Sequence, residues 1–103
     1  MKRGRRRYLS FRLHSEEPLC DGEKQLSNAI WKNLLSLYGE TNAADSKLYL
    51  VSFDCEKGMG ILQCMAAHLE RVITSAVLIG AIGKSMVSFE PIQTSGTIKG
   101  LSR

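Results

Sequence analysis

The hydrophobic pattern changes its period several times along the 103 residues, and the order of these changes constrains the fold more than any other feature. Apolar and polar residues alternate from Tyr8 to His14, which predicts a strand. A helix is predicted over residues 22–38, with Asp21 as its N-cap and Gly39 as the left-handed residue that ends it. After a polar connector, two strands, a second helix and a last strand are predicted: residues 47–53, 58–65, 66–79 and 84–92.

The predicted order β-α-β-β-α-β is that of an α+β, ferredoxin-like (RRM-like) sandwich. Such a fold has a four-stranded antiparallel sheet with two helices on one face, and its first and third strands are central. Pro91 cannot donate to a strand ladder, so it favours an edge position for the last strand. The face without helices must be solvated, stacked on nucleic acid or buried under a partner, and function is expected there.

Positive charge is concentrated at the start of the chain. Residues 1–12 hold six basic residues and no acidic one, which leaves eight basic against ten acidic residues in 13–103. We therefore divide the chain into a basic arm (residues 1–7), one ferredoxin-like domain (8–93) and a C-terminal tail (94–103). The apolar stretch Val72–Ile82 is about half the length of a membrane span, so no membrane partner is expected.

No constellation for catalysis by the polypeptide is found in the sequence. Gly83-Lys84-Ser85 follows a helix and precedes a strand, whereas a phosphate-binding loop needs the reverse order. Cys55, Cys64 and His68 fit no common zinc pattern. The three cysteines are odd in number and show no CxxC spacing, so we expect buried free thiols and a reducing compartment.

The third predicted strand has the frame of the RNA-recognition octapeptide at Lys57–Cys64, but every aromatic position of that motif is changed. Met59, Ile61 and Cys64 stand where rings would stack on bases. Aliphatic and thioether groups suit a protein partner better, so these three residues are predicted to bind one. A sheet face left to water and a stand-alone RNA-binding module remain as alternatives.

The basic arm and the tail are predicted to bind RNA. Arginine makes bidentate contacts with phosphate oxygens, and the small residues of the tail allow a phosphate backbone to approach closely. A localisation signal and a solubilising terminus are the alternative roles of the arm. The predicted RNA-binding residues are Arg3, Arg5, Arg6, Arg7, Tyr8, Arg12, Lys57, Ser95, Gly96, Thr97 and Lys99.

Four blocks in a fixed order give the chain its resemblance to a known family: Arg6-Arg7-Tyr8-Leu9, Leu37-Tyr38-Gly39-Glu40, Gly60-Ile61-Leu62-Gln63-Cys64 and Ser95-Gly96-Thr97-Ile98-Lys99. The chain resembles the archaeal and eukaryotic ribonuclease P protein component 2 family over almost its whole length. Gln63 stands where the family pattern has a basic residue, so the resemblance does not extend to a phosphate contact there.

The resemblance implies a subunit of ribonuclease P, the endoribonuclease that removes 5′ leaders from precursor tRNA. In that family the RNA performs magnesium-assisted hydrolysis, so magnesium is expected for the holoenzyme and no cofactor for this chain. The implied partners are ribonuclease P RNA, protein component 3, the other ribonuclease P proteins and, indirectly, precursor tRNA. The short tail implies an archaeal, cytoplasmic source. The alternatives are a stand-alone RNA-binding module and a ferredoxin-like oligomerisation or ligand-binding domain.

Overall fold

A computed structural model describes residues 5–17 and 22–102. Its strands and helices follow one another as β1 (Arg6–Ser15), α1 (Glu23–Ser46), β2 (Tyr49–Asp54), β3 (Met59–Met65), α2 (Leu69–Val77), β4 (Ala81–Ile82) and β5 (Ser85–Ser95). Short 3-10 turns at Ala66–His68 and Lys99–Ser102 complete the order. No helix in these ranges is long and apolar enough to cross a membrane.

The sheet has five antiparallel strands in the order β2-β3-β1-β5-β4, so the prediction of a four-stranded ferredoxin-like sheet is not confirmed. The additional strand is β4, whose two residues fold back on Ser85 and Met86 through a turn at Gly83, where φ is +60°. Two residues are too few to produce an alternation, so the sequence pattern does not reveal this strand. β1 and β3 are interior strands, as predicted. The edge position predicted for the last strand is wrong in the strand order, because β5 lies between β1 and β4.

Pro91 lies on β5 beyond the two residues that pair with β4. The N–H of Val87 donates outward to the carbonyl of Gly80 at 3.1 Å. Backbone direction alternates along a strand, so the nitrogen of Pro91, four residues on, also faces outward. The proline therefore removes no hydrogen bond to β1. The register between β1 and β5 shifts just after it, because Phe11 pairs with Pro91 and the next residue of β1, Ser10, pairs with Gln93.

The hydrophobic core lies on one face of the sheet, between the strands and both helices. Leu9, Phe11 and Leu13 of β1 are buried there with apolar residues of α1 and α2. The Phe11 ring stacks on Phe89 at 4.6 Å between centroids, and a Cβ at Gly60 would lie 2.5 Å from that ring. We call the opposite face, which carries the other side chains of β1, the open face.

Helix α1 does not end at Gly39 as predicted. Gly39 adopts φ +85° and ψ 168°, which interrupts the helix, and the chain then resumes helical geometry to Ser46. The Asn42 side-chain amide donates to the carbonyl of Tyr38 at 2.9 Å across this kink. The predicted polar connector is therefore mostly helical, and it buries Ala43 and Ser46. At the other end, Gly22 holds the N-cap position, and the predicted cap Asp21 lies outside the described residues.

The prediction that every cysteine is a free thiol is wrong for Cys55, which is disulfide-bonded. Residue spacing alone does not reveal such a bond. Because one cysteine forms a disulfide, the cysteines no longer support the predicted reducing compartment. Cys64 is free and buried, and burial raises the pKa of its thiol to about 11. Cys20 lies outside the described residues.

Candidate nucleic-acid interface

The antiparallel pairing of β1 with β5 brings the basic arm and the tail together. Tyr8 lies opposite Ser95, so the chain entering β1 runs beside the chain leaving β5. The carbonyl of Arg5 accepts a hydrogen bond from the N–H of Ala66 at 2.6 Å, which fixes the arm to the end of β3. An open cavity of about 580 Å³ is lined there by Arg5, Arg6, Arg7 and Gly96.

The tail folds back at this end of the sheet through side-chain hydrogen bonds. The N–H of Thr97 donates to Ser95 Oγ at 3.2 Å, and the N–H of Gly100 donates to Thr97 Oγ1 at 3.0 Å. A Cβ at Gly96 would lie 3.3 Å from Arg7 Nη1, so the glycine allows this guanidinium to approach the backbone closely. We call Ser95–Ser102 the C-terminal turn.

The arginines at this end have no acidic partner in the described parts of the chain. Within residues 5–17 and 22–102, the one close contact between a basic and an acidic side chain joins His14 Nε2 to Glu90 Oε1 at 2.7 Å, toward the other end of β1. Arg5 and Arg6 are exposed and Arg7 is half-buried. Their charges are therefore available for phosphate groups, whereas the predicted contact Arg3 lies outside the described residues.

Arg12 and Lys57 lie at the other end of the open face. Six residues of extended strand separate Arg12 from Arg6, which is about 20 Å. Both residues line a second cavity of about 600 Å³ to which Glu16 and Glu56 also contribute. The predicted RNA-binding residues thus form two groups, one at each end of β1. Lys99 belongs to the first, at the start of the 3-10 turn of the C-terminal turn.

The predicted partner-binding residues do not share one face. Met59 and Ile61 are half-buried on the open face, whereas Cys64 points into the core with a relative exposure of 2%. Side chains alternate along β3, so residues 59 and 61 lie on one face and residue 64 on the other. The prediction is wrong for Cys64. Arg12 Nη2 lies 3.6 Å from Met59 Sδ, so the predicted RNA-binding and partner-binding residues meet here.

Sequence reasoning missed a row of side chains that crosses the open face. Tyr49 of β2 lies opposite Gln63 of β3, and Gln63 lies opposite Tyr8 of β1. We call these three residues the tyrosine row. The segment that matches the frame of the RNA-recognition octapeptide covers β3 and not its neighbours. Because β3 lacks the aromatic residues of that motif, the sequence suggested a sheet face without aromatic rings. The flanking strands β1 and β2 supply two rings, those of Tyr8 and Tyr49. Only the strand register could have revealed this alignment.

No metal or nucleophile constellation emerges from the part of the chain that the structure describes. Within it, no group of three or more His, Cys, Asp or Glu residues could hold a metal ion. His14 is paired with Glu90, and His68 Nδ1 lies 3.1 Å from Arg71 Nη1 on the helical side.

Comparisons with known proteins give matches along nearly the whole chain. The model of the Rpp14/Pop5 family matches residues 7–103. A protein named ribonuclease P protein component 2 from Archaeoglobus fulgidus is 38% identical over 101 residues, which cover 98% of this chain and 88% of that protein. The protein of the same name from Pyrococcus furiosus is 33% identical over 101 residues, covering 98% and 82% of the two chains.

Proposed function

The chain belongs to the Rpp14/Pop5 family and is a protein subunit of ribonuclease P, and we propose that it binds the RNA of that enzyme through the basic arm. Ribonuclease P removes 5′ leaders from precursor tRNA, and its catalytic chemistry lies in the RNA. The protein's role in this proposal is to neutralise phosphates and hold the RNA in its active shape. In this proposal magnesium binds the RNA and not this chain, and we propose a cytoplasmic location. The relatives named above are from archaea.

The observation that carries this proposal is the cationic end of the sheet. Arg5, Arg6 and Arg7 surround an open cavity beside Gly96, and no carboxylate in the described residues pairs with them. Guanidinium groups donate two parallel hydrogen bonds to phosphate oxygens, which suits a nucleic-acid backbone. The C-terminal turn adds the charge of Lys99 to the same surface.

The response of RNA binding to salt tests the arm. If Arg3, Arg5, Arg6, Arg7 and Lys99 each neutralise one phosphate, log K falls with log salt with a slope of about −3.5 to −4.5. Replacing Arg5, Arg6 and Arg7 by Ala is expected to flatten this slope by roughly 2 to 3, because each lost contact releases one fewer counterion. The measurement is the affinity of the full chain for ribonuclease P RNA over a range of salt concentrations.

A matched control removes the same charge elsewhere. Lys24, Lys32 and Lys84 are exposed and lie away from the arm, so their triple Ala variant should keep the original slope. Equal flattening in both triple variants would mean that net charge, not the arm, determines binding. An unchanged slope in the arginine variant would exclude the arm from RNA contact.

We further propose that Met59 and Ile61 on the open face dock ribonuclease P protein component 3. Both are half-buried apolar side chains on a face without helices, and such surfaces favour protein partners. Met59→Asp or Ile61→Asp is expected to weaken association with component 3 at least tenfold, since each replaces an apolar contact by a charge that loses water on docking, and to change RNA affinity less.

The control for docking lies on the helical side of the molecule. Leu78 is 59% exposed after the end of α2, so Leu78→Asp introduces the same charge on another apolar residue. It should leave association with component 3 unchanged. A larger effect of Leu78→Asp than of Met59→Asp, measured by titration of the two purified proteins, would place the interface on the helices instead.

A further inference from the structure

We infer that the tyrosine row, Tyr8, Gln63 and Tyr49, is a stacking site for unpaired bases of RNA. The inference rests on the proposed function, because it takes RNA as the ligand of this end of the sheet. It goes beyond that function by naming the part of the RNA that is bound and the side chains that bind it. Tyr49 and Gln63 were not among the predicted RNA-binding residues.

The row is fixed by the strand register. Tyr49 pairs with Gln63, Gln63 pairs with Tyr8, and Tyr8 pairs with Ser95 at the start of the C-terminal turn. Residues directly opposite each other in neighbouring strands point to the same face, so these side chains all project from the open face. The two tyrosines are two strand spacings apart, about 10 Å, with the Gln63 amide between them.

These side chains are at least partly accessible on the sheet surface. Tyr49 is 60% exposed, and Tyr8 and Gln63 are half-buried. In the described parts of the chain, neither tyrosine hydroxyl nor the Gln63 amide makes a hydrogen bond to another protein group. An amide offers two donors and one acceptor oxygen, which can read the edge of a base next to a stacked ring.

The charge beside the row favours RNA as its occupant. Arg6 lies two residues before Tyr8 on the same face, about 7 Å along the strand, and opposite Met65. Arg5, Arg6 and Arg7 carry positive charge with no acidic partner in the described chain. A nucleotide whose base stacks on Tyr8 can therefore place its phosphate against Arg6, the arginine that shares its face. Sequence-tolerant stacking beside a cationic groove is how single-stranded RNA is usually held.

The test compares a ligand that has bases with one that has only charge. The first probe is an unpaired RNA decamer of mixed sequence, and the second is inorganic polyphosphate of the same charge. Affinities of the full chain are measured by anisotropy for the labelled decamer and by competition for polyphosphate. The variants are Tyr49→Ala, Tyr49→Phe and, as the exposed apolar control on β5, Met86→Ala, with thermal unfolding checked for each.

We expect Tyr49→Ala to weaken decamer binding roughly 5- to 150-fold, which corresponds to the loss of one stacked base. Tyr49→Phe keeps a ring and should stay within about twofold of the original affinity. Polyphosphate binding and the salt slope should be unchanged in both variants, because no charge is removed. Met86→Ala should alter none of these values.

Three results would overturn the inference: decamer affinity unchanged in Tyr49→Ala, equal loss of decamer and polyphosphate binding, or loss of association with component 3 alone. The last result would assign the row to a protein partner. The variant with Ala at Arg5, Arg6 and Arg7 tests the arm separately, because it changes the salt slope. If that variant keeps the normal slope while Tyr49→Ala weakens decamer binding, the arm is rejected and the tyrosine row is kept. If that variant flattens the slope while Tyr49→Ala has no effect, the tyrosine row is rejected and the arm is kept.

Discussion

Cys64 shows how one residue's position on a strand determines its chemistry. It alternates with Met59 and Ile61 along β3 and so faces the core, where its thiol is removed from water. Burial disfavours the thiolate and raises the pKa to about 11 from an ordinary value of 9.0. This residue is thereby a packing group of the core, and its thiol is protonated at neutral pH.

The raised pKa of Cys64 predicts a loss of stability at alkaline pH. Below about pH 9 the thiol is protonated in both the folded and the unfolded chain, so it makes no difference to unfolding. Above that pH the unfolded chain loses the proton while the folded chain keeps it, and the free energy of unfolding should fall by about 2 kcal/mol by pH 11. Urea denaturation at several pH values measures this fall.

Cys64→Ala separates this effect from the titration of other groups. The variant lacks the thiol, so its stability should decline less steeply between pH 9 and 11 than that of the original chain, whatever its stability at pH 7. Parallel curves over this range would show that Cys64 ionises as easily in the folded state as in the unfolded one.

At the scale of elements, the kink in α1 depends on one glycine. Gly39 has φ +85° and ψ 168°, a conformation that is essentially restricted to glycine. Gly39→Ala is expected to reduce the free energy of unfolding by about 1–3 kcal/mol because alanine is strained in this backbone conformation. A steric clash would not contribute, because an added Cβ would meet no atom within 4 Å. Equilibrium denaturation of both proteins gives this difference.

Gly80→Ala provides the comparison for Gly39→Ala. An added Cβ at Gly80 would likewise meet nothing within 4 Å, but its φ lies outside the left-handed region. We expect a change of no more than about 1 kcal/mol, in the stabilising direction, from the reduced freedom of the unfolded chain. Similar losses in the two variants would disprove the argument from backbone conformation.

The periodicity of apolar residues predicted most of the helices and strands. It failed where a helix or strand is very short or interrupted. The alternation around Leu9, Phe11 and Leu13 correctly indicated β1 and its buried face. Gly39 was correctly expected to have a positive φ, but the sequence could not show that the chain resumes the helix after it. That continuation depends on burial of Ala43 and Ser46, which is a tertiary effect.

At the scale of the whole molecule, strand pairing determines which residues form a site. The sequence indicated the arm and the tail as separate cationic segments, and the pairing of Tyr8 with Ser95 joins them. It could not indicate the tyrosine row, because the register of three strands decides which side chains are neighbours. The same register separates Arg12 and Lys57 from the arm.

Reconstitution tests the role of the whole chain. Adding the purified protein to ribonuclease P RNA and component 3 is expected to raise the rate of precursor-tRNA cleavage at limiting magnesium, because its arginines neutralise phosphates that magnesium must otherwise screen. The gain should shrink at saturating magnesium and in the variant with Ala at Arg5, Arg6 and Arg7. Full rescue by that variant, or cleavage by the protein without RNA, would contradict this role.

The position of Pro91 also affects whether copies of this protein can pair through β5 at high concentration. From Ser88 onward, the outer side of β5 pairs with no strand in the described chain. It is therefore a free sheet edge to which a strand of another polypeptide could be added. At Pro91 an incoming strand finds no amide hydrogen, and the adjoining register shift bends the border further. We therefore expect this side of the molecule to add a strand from another copy less readily than an uninterrupted strand edge would.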